Sequence, residues 1–322
     1  VLLGDGHPWR VGAGTYPRGV TEKLDAGEPT AIAERVRATL GEGPVLALTG
    51  AGISTDSGIP DYRGPDSPPR NPMTYQQFVG DHAFRRHYWA RNHVGWRYME
   101  RTECNDGHRA LADLESAGAV SAVVTQNVDT LHELAGSRCV VDLHGRYDRV
   151  ICLECRQVTS RSSLDRRLAE LNPHFSVTVE DIELAPDADA VLASTEGFRV
   201  ADCAACGGML KPDIVYFGEN VPKPRVEEVY DLVEQARGLL VAGSSLTVFS
   251  GRRFVKRAAQ QGKPVVILNR GETRCDELAA LTVDAGCSEV LRALASSYGQ
   301  PADPTPLGAT APPSTRVSVP EA

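Results

Sequence analysis

Two cysteine pairs, Cys152-Leu153-Glu154-Cys155 and Cys203-Ala204-Ala205-Cys206, offer four thiolates in close-spaced knuckles. Such a set suits a tetrahedral zinc ion with no open position, so the metal would staple a module and not catalyse. A redox pair or unrelated buried thiols is the competing reading. The gap between the pairs is longer than a zinc ribbon's roughly 15–20 residues, so a folded excursion must lie within it. A second constellation is Thr125-Gln126-Asn127-Val128-Asp129 followed by Leu143-His144-Gly145. Asn127 and Asp129 could bind an amide and steady a developing positive charge. His144 could act as a general base, its ordinary pKa lying near neutrality, or could be a satisfied structural histidine.

A third feature is the turn Gly50-Ala51-Gly52-Ile53-Ser54-Thr55, directly after the apolar run Val45–Leu48. Glycines there let a pyrophosphate approach backbone amides at a helix start. The dinucleotide fingerprint of hydride-transfer enzymes wants a third small residue where Thr55 stands, and a ribose-binding acid about 20 residues on. Instead the chain runs into Pro60-Asp61-Tyr62-Arg63-Gly64 and further prolines, which cannot form a central strand. This argues for a nucleotide site and against a dehydrogenase, with a tight strand-to-helix turn that binds nothing as the competing reading of the glycine pair.

These residues need a scaffold. Strands are predicted at Val45–Leu48, Val120–Thr125, Val140–Leu143, Ile214–Phe217, Leu239–Ala242 and Val265–Leu268. Helices are predicted at 31–40, 107–117, 226–236, 254–261 and near 289–296, with aromatic-faced helices between Tyr75 and Met99. Alternating strands and helices imply a doubly wound parallel sheet, an α/β fold. Several strands end in polar or small residues, and ligands of open parallel sheets bind at those carboxyl ends. Residues 146 to about 210 lack a strong period and contain the four paired cysteines; they read as an inserted module.

The chain has 322 residues, 42% hydrophobic and 24% charged, as in ordinary globular proteins. A formal charge of −8 argues against a protein that coats nucleic acid or anionic membrane. No apolar run approaches the roughly 18 residues of a membrane span. Val1-Leu2-Leu3 is too short for a signal peptide, so a cytoplasmic protein is expected. In that setting eight cysteines point to metal or free thiols, not disulfides.

As an ordered set, Gly50-Ala51-Gly52-Ile53-Ser54, Pro60-Asp61-Tyr62-Arg63, Gln126-Asn127-Val128-Asp129, His144-Gly145, the cysteine pairs, Lys211-Pro212, Gly243-Ser244-Ser245 and Asn269 resemble the sirtuin family of NAD-dependent protein deacylases. The resemblance runs from about residue 30 to 297. Tyr88-Trp89-Ala90-Arg91-Asn92, Gly95-Trp96, the continuation Leu246–Gly251 and Arg274-Cys275-Asp276-Glu277-Leu278 are similar to class II, the vertebrate mitochondrial fourth type.

The resemblance implies a Rossmann-like NAD domain over 29–145 and 211–298, with a helical insertion at about 66–104. Composition and missing periodicity separately give the small zinc-binding module over 146–210, a flexible arm at 1–28 and a Pro-, Ala-, Ser- and Thr-rich disordered tail at 299–322. NAD would be consumed and one structural zinc held. The Gly50–Ser54 turn and Gly243–Ser245 would hold phosphates and ribose, with Ala51, Ile53 and Thr55 in the same turn. Asp61, Tyr62 and Arg63 would cover the nicotinamide ribose. Gln126, Asn127, Val128 and Asp129 would hold the carboxamide as the cationic ring departs. Asn269, Arg270, Gly271 and Cys287 would lie toward the adenosine. The acyl oxygen would attack the ribose carbon, and His144 would act as base on a ribose hydroxyl.

Tyr88 and Arg91, three apart on a helix, could meet on one face and receive an acidic acyl group, as a comparable pair does in class III; a packed aromatic beside a solvated arginine is the alternative. Expected partners are acyl-lysine proteins or peptides acting on a monomer, without nucleic acid or membrane. Mono-ADP-ribosylation or lipoyl removal at the same site stays open. A dehydrogenase or a non-catalytic zinc module is the remoter alternative.

Overall fold

In the computed structural model the described residues are 21–62, 72–175 and 194–299. Their centre is a seven-stranded parallel sheet. The strands are β1 (Glu22–Asp25), β2 (Val45–Thr49), β3 (Val120–Thr125), β4 (Val140–Asp142), β8 (Leu239–Ala242), β9 (Val265–Leu268) and β10 (Leu281–Asp284), in the order β1-β10-β9-β8-β2-β3-β4. Alternate residues of β2 serve opposite faces. Ala47 packs with Val36, Leu111, Leu114 and Leu291, from helices α1 (Pro29–Leu40), α4 (Asp106–Ser116) and α9 (Cys287–Ser297). Leu46 and Leu48 pack with Val229, Val233, Phe254 and Val255, from α7 (Lys223–Gln235) and α8 (Phe249–Gln260). Strands covered on both faces are mainly apolar, as β2 is up to its terminal Thr49 and β8 is throughout.

The sequence reading assigned residues 1–28 to a flexible arm. That is corrected for its last part: Glu22–Asp25 is an edge strand in parallel register with Leu281–Asp284. Neither strand was expected: β1 has no fully buried residue and β10 buries only Leu281 and Val283, so neither is a continuous apolar run.

The predicted strand Ile214–Phe217 is also corrected. The strand is β7 (Leu210–Ile214), and it does not join the large sheet. It pairs antiparallel with β5 (Gly145–Cys152), which pairs with β6 (Val158–Ser160). Pro212 is tolerated because β7 is an edge strand. This small sheet shares one core with the aromatic helices α2 (Tyr75–Gly80) and α3 (His82–Met99), and with α6 (Arg161–Leu171). Phe78, Tyr88, Trp89 and Tyr216 stack or meet edge-on at 5.2 to 6.3 Å. Arg161, wholly buried, donates to the carbonyl and side-chain oxygens of Asn92 and lies over Trp96. The helical insertion and the cysteine module thus form one lobe. The short helix α5 (Leu131–Leu134) completes the elements.

Arm residues up to 20, tail residues from 300, Arg63, and the part of the proline-rich loop through 71 lie outside the described residues. Among the described residues no helix is long and apolar enough to cross a membrane.

Candidate functional site

The strand order reverses at β2, which pairs with β3 on one side and β8 on the other. Parallel sheets open a crevice at such a reversal. Here a cleft of about 390 Å³ lies against the carboxyl ends of these strands, with loop 214–221 of the small lobe on its wall. The turn after β2 and the turn after β8 touch: Gly52 N donates to Gly243 O at 2.8 Å. Gly243 has φ +65°, and a Cβ there would stand 2.3 Å from Ile53 N. Glycine is therefore required for the closure of this floor. The helix start expected after Gly50 is two short 3₁₀ turns, Ala51–Ile53 and Thr55–Ser57.

Asn127 Nδ2 donates to Gly50 O at 3.1 Å and to Ser54 Oγ at 3.0 Å. Ser54 Oγ in turn donates to Asp129 Oδ2 at 2.7 Å, and Leu131 N donates to Asp129 Oδ1 at 3.1 Å. Desolvation raises the Asp129 pKa, against the lowering effect of those hydrogen bonds. Both side chains face the cleft.

His144 follows β4 and also lines the cleft. Its Nδ1 lies 2.9 Å from the Gln126 carbonyl, which can only accept, so Nδ1 carries the proton. Nε2 then holds the lone pair and accepts from Ser250 Oγ at 2.7 Å. Burial pushes the imidazole pKa down to about 4, with Arg225 and Arg253 adding to the effect and the Gln126 bond opposing it. A neutral, tautomer-fixed imidazole with Nε2 toward a cleft is the arrangement a general base needs.

Gln126 Nε2 donates to Ser244 Oγ at 2.8 Å, joining the ends of β3 and β8. On the small-lobe side, buried Lys211 donates to Ile214 O and to Glu219 Oε2, and the same Glu219 oxygen accepts from Tyr216 N. This clamp shapes the loop that forms the cleft wall.

The cleft brings together Gly50, Ala51, Gly52, Asp61, Tyr62, Gln126, Asn127, Val128, Asp129, His144, Gly243, Ser244, Ser245, Asn269 and Arg270. Ile53, Thr55 and Cys287 are not on it. Ile53 and Cys287 are buried in the core, and Thr55 Oγ1 ties back to Gly52 O. Gly271 faces a separate recess between Ala26 and Val290. The sequence reading missed Ser250 and Arg253 at the start of α8, as well as loop 215–221. Ser250 and Arg253 are three apart, one face of a helix that begins beside a polar strand end, and that spacing was the available signal.

Neither Tyr88 nor Arg91 lines the cleft. Tyr88 is 1% exposed inside the aromatic cluster, and its hydroxyl accepts from Asn92 Nδ2. Arg91 Nη1 donates to His87 Nε2 at 3.0 Å. We expect Arg91→Ala to leave the ratio of succinyl-lysine to acetyl-lysine turnover unchanged within about twofold; a selective loss of the acidic substrate restores the pair as a determinant.

The four paired cysteine sulfurs lie within 4.8 Å of one another. Cys152 to Cys206 is 3.6 Å and Cys155 to Cys203 is 3.8 Å, matching the roughly 3.8 Å edge of a tetrahedron with 2.3 Å zinc–sulfur bonds. The knuckles repeat each other: Arg156 N donates to Cys152 O, Gly207 N donates to Cys203 O, and Arg156 and Gly207 both have positive φ. The donor set fits a structural zinc.

Comparison with known proteins agrees with this site. A sequence model described as the Sir2 family matches residues 50–250. The chain is 64% identical over 254 residues to NAD-dependent protein deacetylase 1 of Mycobacterium avium (strain 104), covering 78% of this chain and 90% of the relative. It is 46% identical over 239 residues to NAD-dependent protein deacylase SIR4 of Monosiga brevicollis, covering 72% of this chain and 77% of the relative. A solved structure described as "Sir2-p53 peptide-NAD+" superposes with a TM-score of 0.61 at 31% identity, covering 83% of this chain and 98% of the other.

Proposed function

The chain belongs to the Sir2 family, and from that premise we infer that it is an NAD-dependent protein lysine deacylase. It transfers an acyl group from lysine to ADP-ribose and releases nicotinamide. The observation that carries the chemistry is His144: its Nδ1–H is held by Gln126 O while Nε2 faces the cleft that Asn127 and Asp129 also line.

NAD supplies a glycosidic bond whose leaving group is nicotinamide, and a ribose that accepts the acyl group. The cleft's donor set fits it. A carboxylate at Asp129 suits a cationic ring, arginines 253 and 270 suit a pyrophosphate, and glycines 50, 52 and 243 leave backbone open to it. Asn127 and Asp129 hold the carboxamide end and stabilise positive charge as the ring leaves. His144 Nε2, exchanging the Ser250 hydroxyl for a ribose hydroxyl, removes a proton so that the acyl group can move off lysine. Ile214, Phe217 and Val221 give an apolar wall for a lysine stem and its acyl chain. Cys152, Cys155, Cys203 and Cys206 would hold a zinc in a structural role, since four sulfurs leave no position open.

Finer placements are our proposals. Class II membership rests on the Tyr88–Asn92, Leu246–Gly251 and Arg274–Leu278 stretches. A monomer acting on acyl-lysine proteins, away from nucleic acid, is supported by the acidic balance. A cytoplasmic location suits free thiols around zinc.

The test is incubation with NAD and a panel of acyl-lysine peptides, following nicotinamide and acyl-ADP-ribose by mass. We expect both products in equal amounts. Reduction of NAD, or an intact nicotinamide bond with every peptide, overturns the reading.

A further inference from the structure

Deacylation uses Ser250 only as the group that a ribose hydroxyl displaces, yet its surroundings are those of a nucleophile. Ser250 stands in the first turn of α8, 8% exposed and on the wall of the cleft. Its Oγ lies 2.7 Å from His144 Nε2 and donates to it, because His144 Nδ1 already gives its proton to the Gln126 carbonyl at 2.9 Å. Hydroxyl, base and orienting acceptor thus follow one another, the arrangement that activates a serine. A carbonyl stands here where a carboxylate is more usual. It fixes the tautomer but stabilises an imidazolium less, so slow turnover is expected. The leading amides of α8 have no intrahelical acceptor, and its N-cap Val248 supplies no side-chain cap. N–H groups beside the serine suit a developing oxyanion. Leu246, Val248 and the half-exposed Phe249 line the same cleft and give an apolar seat for an acyl or aryl group.

We propose that Ser250 and His144 form a second catalytic pair in this cleft, a serine nucleophile and its base, which cleaves small carboxylic esters with an apolar acyl group and does not use NAD. Ser250 Oγ attacks the ester carbonyl carbon while its proton passes to His144 Nε2. The bond from that carbon to the alkoxy oxygen breaks, and the departing alcohol takes the proton from His144. Water then attacks the acyl-serine, giving a proton to His144; the acid leaves and Ser250 Oγ recovers that proton. This activity goes beyond the deacylase reading but shares His144 with it. A ribose hydroxyl at His144 Nε2 takes the base away from Ser250. A nucleotide in the cleft therefore shuts ester cleavage off, and acyl-ADP-ribose is spared while it is bound.

The experiment treats the full chain, without NAD, with a fluorophosphonate probe, which loses fluoride as it phosphonylates an activated serine. The labelled peptide is mapped by mass. Hydrolysis of 4-nitrophenyl acetate is followed in parallel, with the melting temperature of each variant. We expect the label on Ser250, and ester hydrolysis lowered by about 10²-fold in both Ser250→Ala and His144→Ala. Saturating ADP-ribose, its binding verified by calorimetry, should suppress label and hydrolysis together. No label on Ser250, wild-type hydrolysis in Ser250→Ala, or labelling that persists with ADP-ribose bound overturns the proposal. Should Ser250→Ala fail to fold, the position of the label in the wild type and its suppression by ADP-ribose decide the matter. A wild type that cleaves the ester through Ser250 but releases no nicotinamide from NAD sinks the deacylase reading alone. Nicotinamide release without a label on Ser250 sinks the ester-cleaving pair alone.

Discussion

Replacing His144 with alanine is expected to lower acyl-ADP-ribose formation by about 10²–10⁴-fold, the range removed with a general base. NAD binding should be largely kept, because His144 is one of many side chains on the cleft. Nicotinamide exchange, which needs only the bond-breaking step at Asn127 and Asp129, should survive better than acyl transfer. The pH dependence follows from the same geometry. The base works when neutral, and protonation removes it as pH falls. Burial has pushed its pKa down to about 4. At pH 7 only roughly one His144 in a thousand is then protonated. In the kcat/KM profile for NAD, which reports the free enzyme, His144 should therefore contribute its acid limb near 4 and none between about pH 8 and 5, whereas Asp129, raised by burial and needed as the carboxylate, adds a limb of its own that Asp129→Asn removes. An acid limb near 6.5 that vanishes in His144→Ala and persists in Asp129→Asn would place the base in an open, hydrated setting and contradict the burial seen here. An alanine variant that still forms acyl-ADP-ribose at the wild-type rate would remove His144 from the reaction.

The second large effect is expected from metal removal. Structural zinc contributes about 10–16 kcal/mol in small metal-bound modules, whereas whole domains are stable by only about 5–15 kcal/mol. The small lobe has a modest core shared between two helices, α6 and a three-stranded sheet, so it should not survive loss of the ion. Strong chelation, or Cys203→Ser, should release one zinc per chain and abolish deacylation. Hydrogen exchange should rise in β5, β6, β7 and α6, while the seven-stranded sheet stays protected. Activity is lost because β7 leads directly into the 214–221 wall of the cleft. Protein purified without chelator that has no stoichiometric zinc would refute this.

How much of this was readable in the residues depends on how locally each feature is encoded. The strands β2, β3, β8 and β9 were legible because both faces are covered, so each is built mainly of apolar residues, interrupted only by Ser121 and the terminal Thr49 and Thr125. Strands β1 and β10 were not, since an edge pair with alternate exposure looks like loop. Asn127, Asp129 and His144 follow strands and could be placed on the rim by that fact alone. The tautomer of His144 and its Ser250 partner could not, because one is set by the Gln126 carbonyl on another strand end and the other is a contact 106 residues away in sequence. Tyr88 and Arg91 show the limit from the other side. Their helical spacing is real, but spacing does not say which way each side chain points: Tyr88 lies in the aromatic core, while Arg91 turns to His87. The shared core of the two insertions was hidden for the same reason: nothing local in α3 records that α6 will lie against it.

The four-residue strand at the N-terminal border of the sheet carries one more consequence. Glu22 to Asp25 occupy the hydrogen-bonding groups along the outer side of β10, helped by the Arg35–Glu22 pair. A version of the protein begun at Pro29, the obvious trimming point at the start of α1, would move the sheet edge from the charged Glu22-Lys23-Leu24-Asp25 to the more apolar Leu281-Thr282-Val283-Asp284, whose amides and carbonyls would then form the open ladder. Open ladders recruit strands from other molecules. The small segment that looked dispensable is thus a guard against self-association, and shortened forms should lose solubility before they lose their fold.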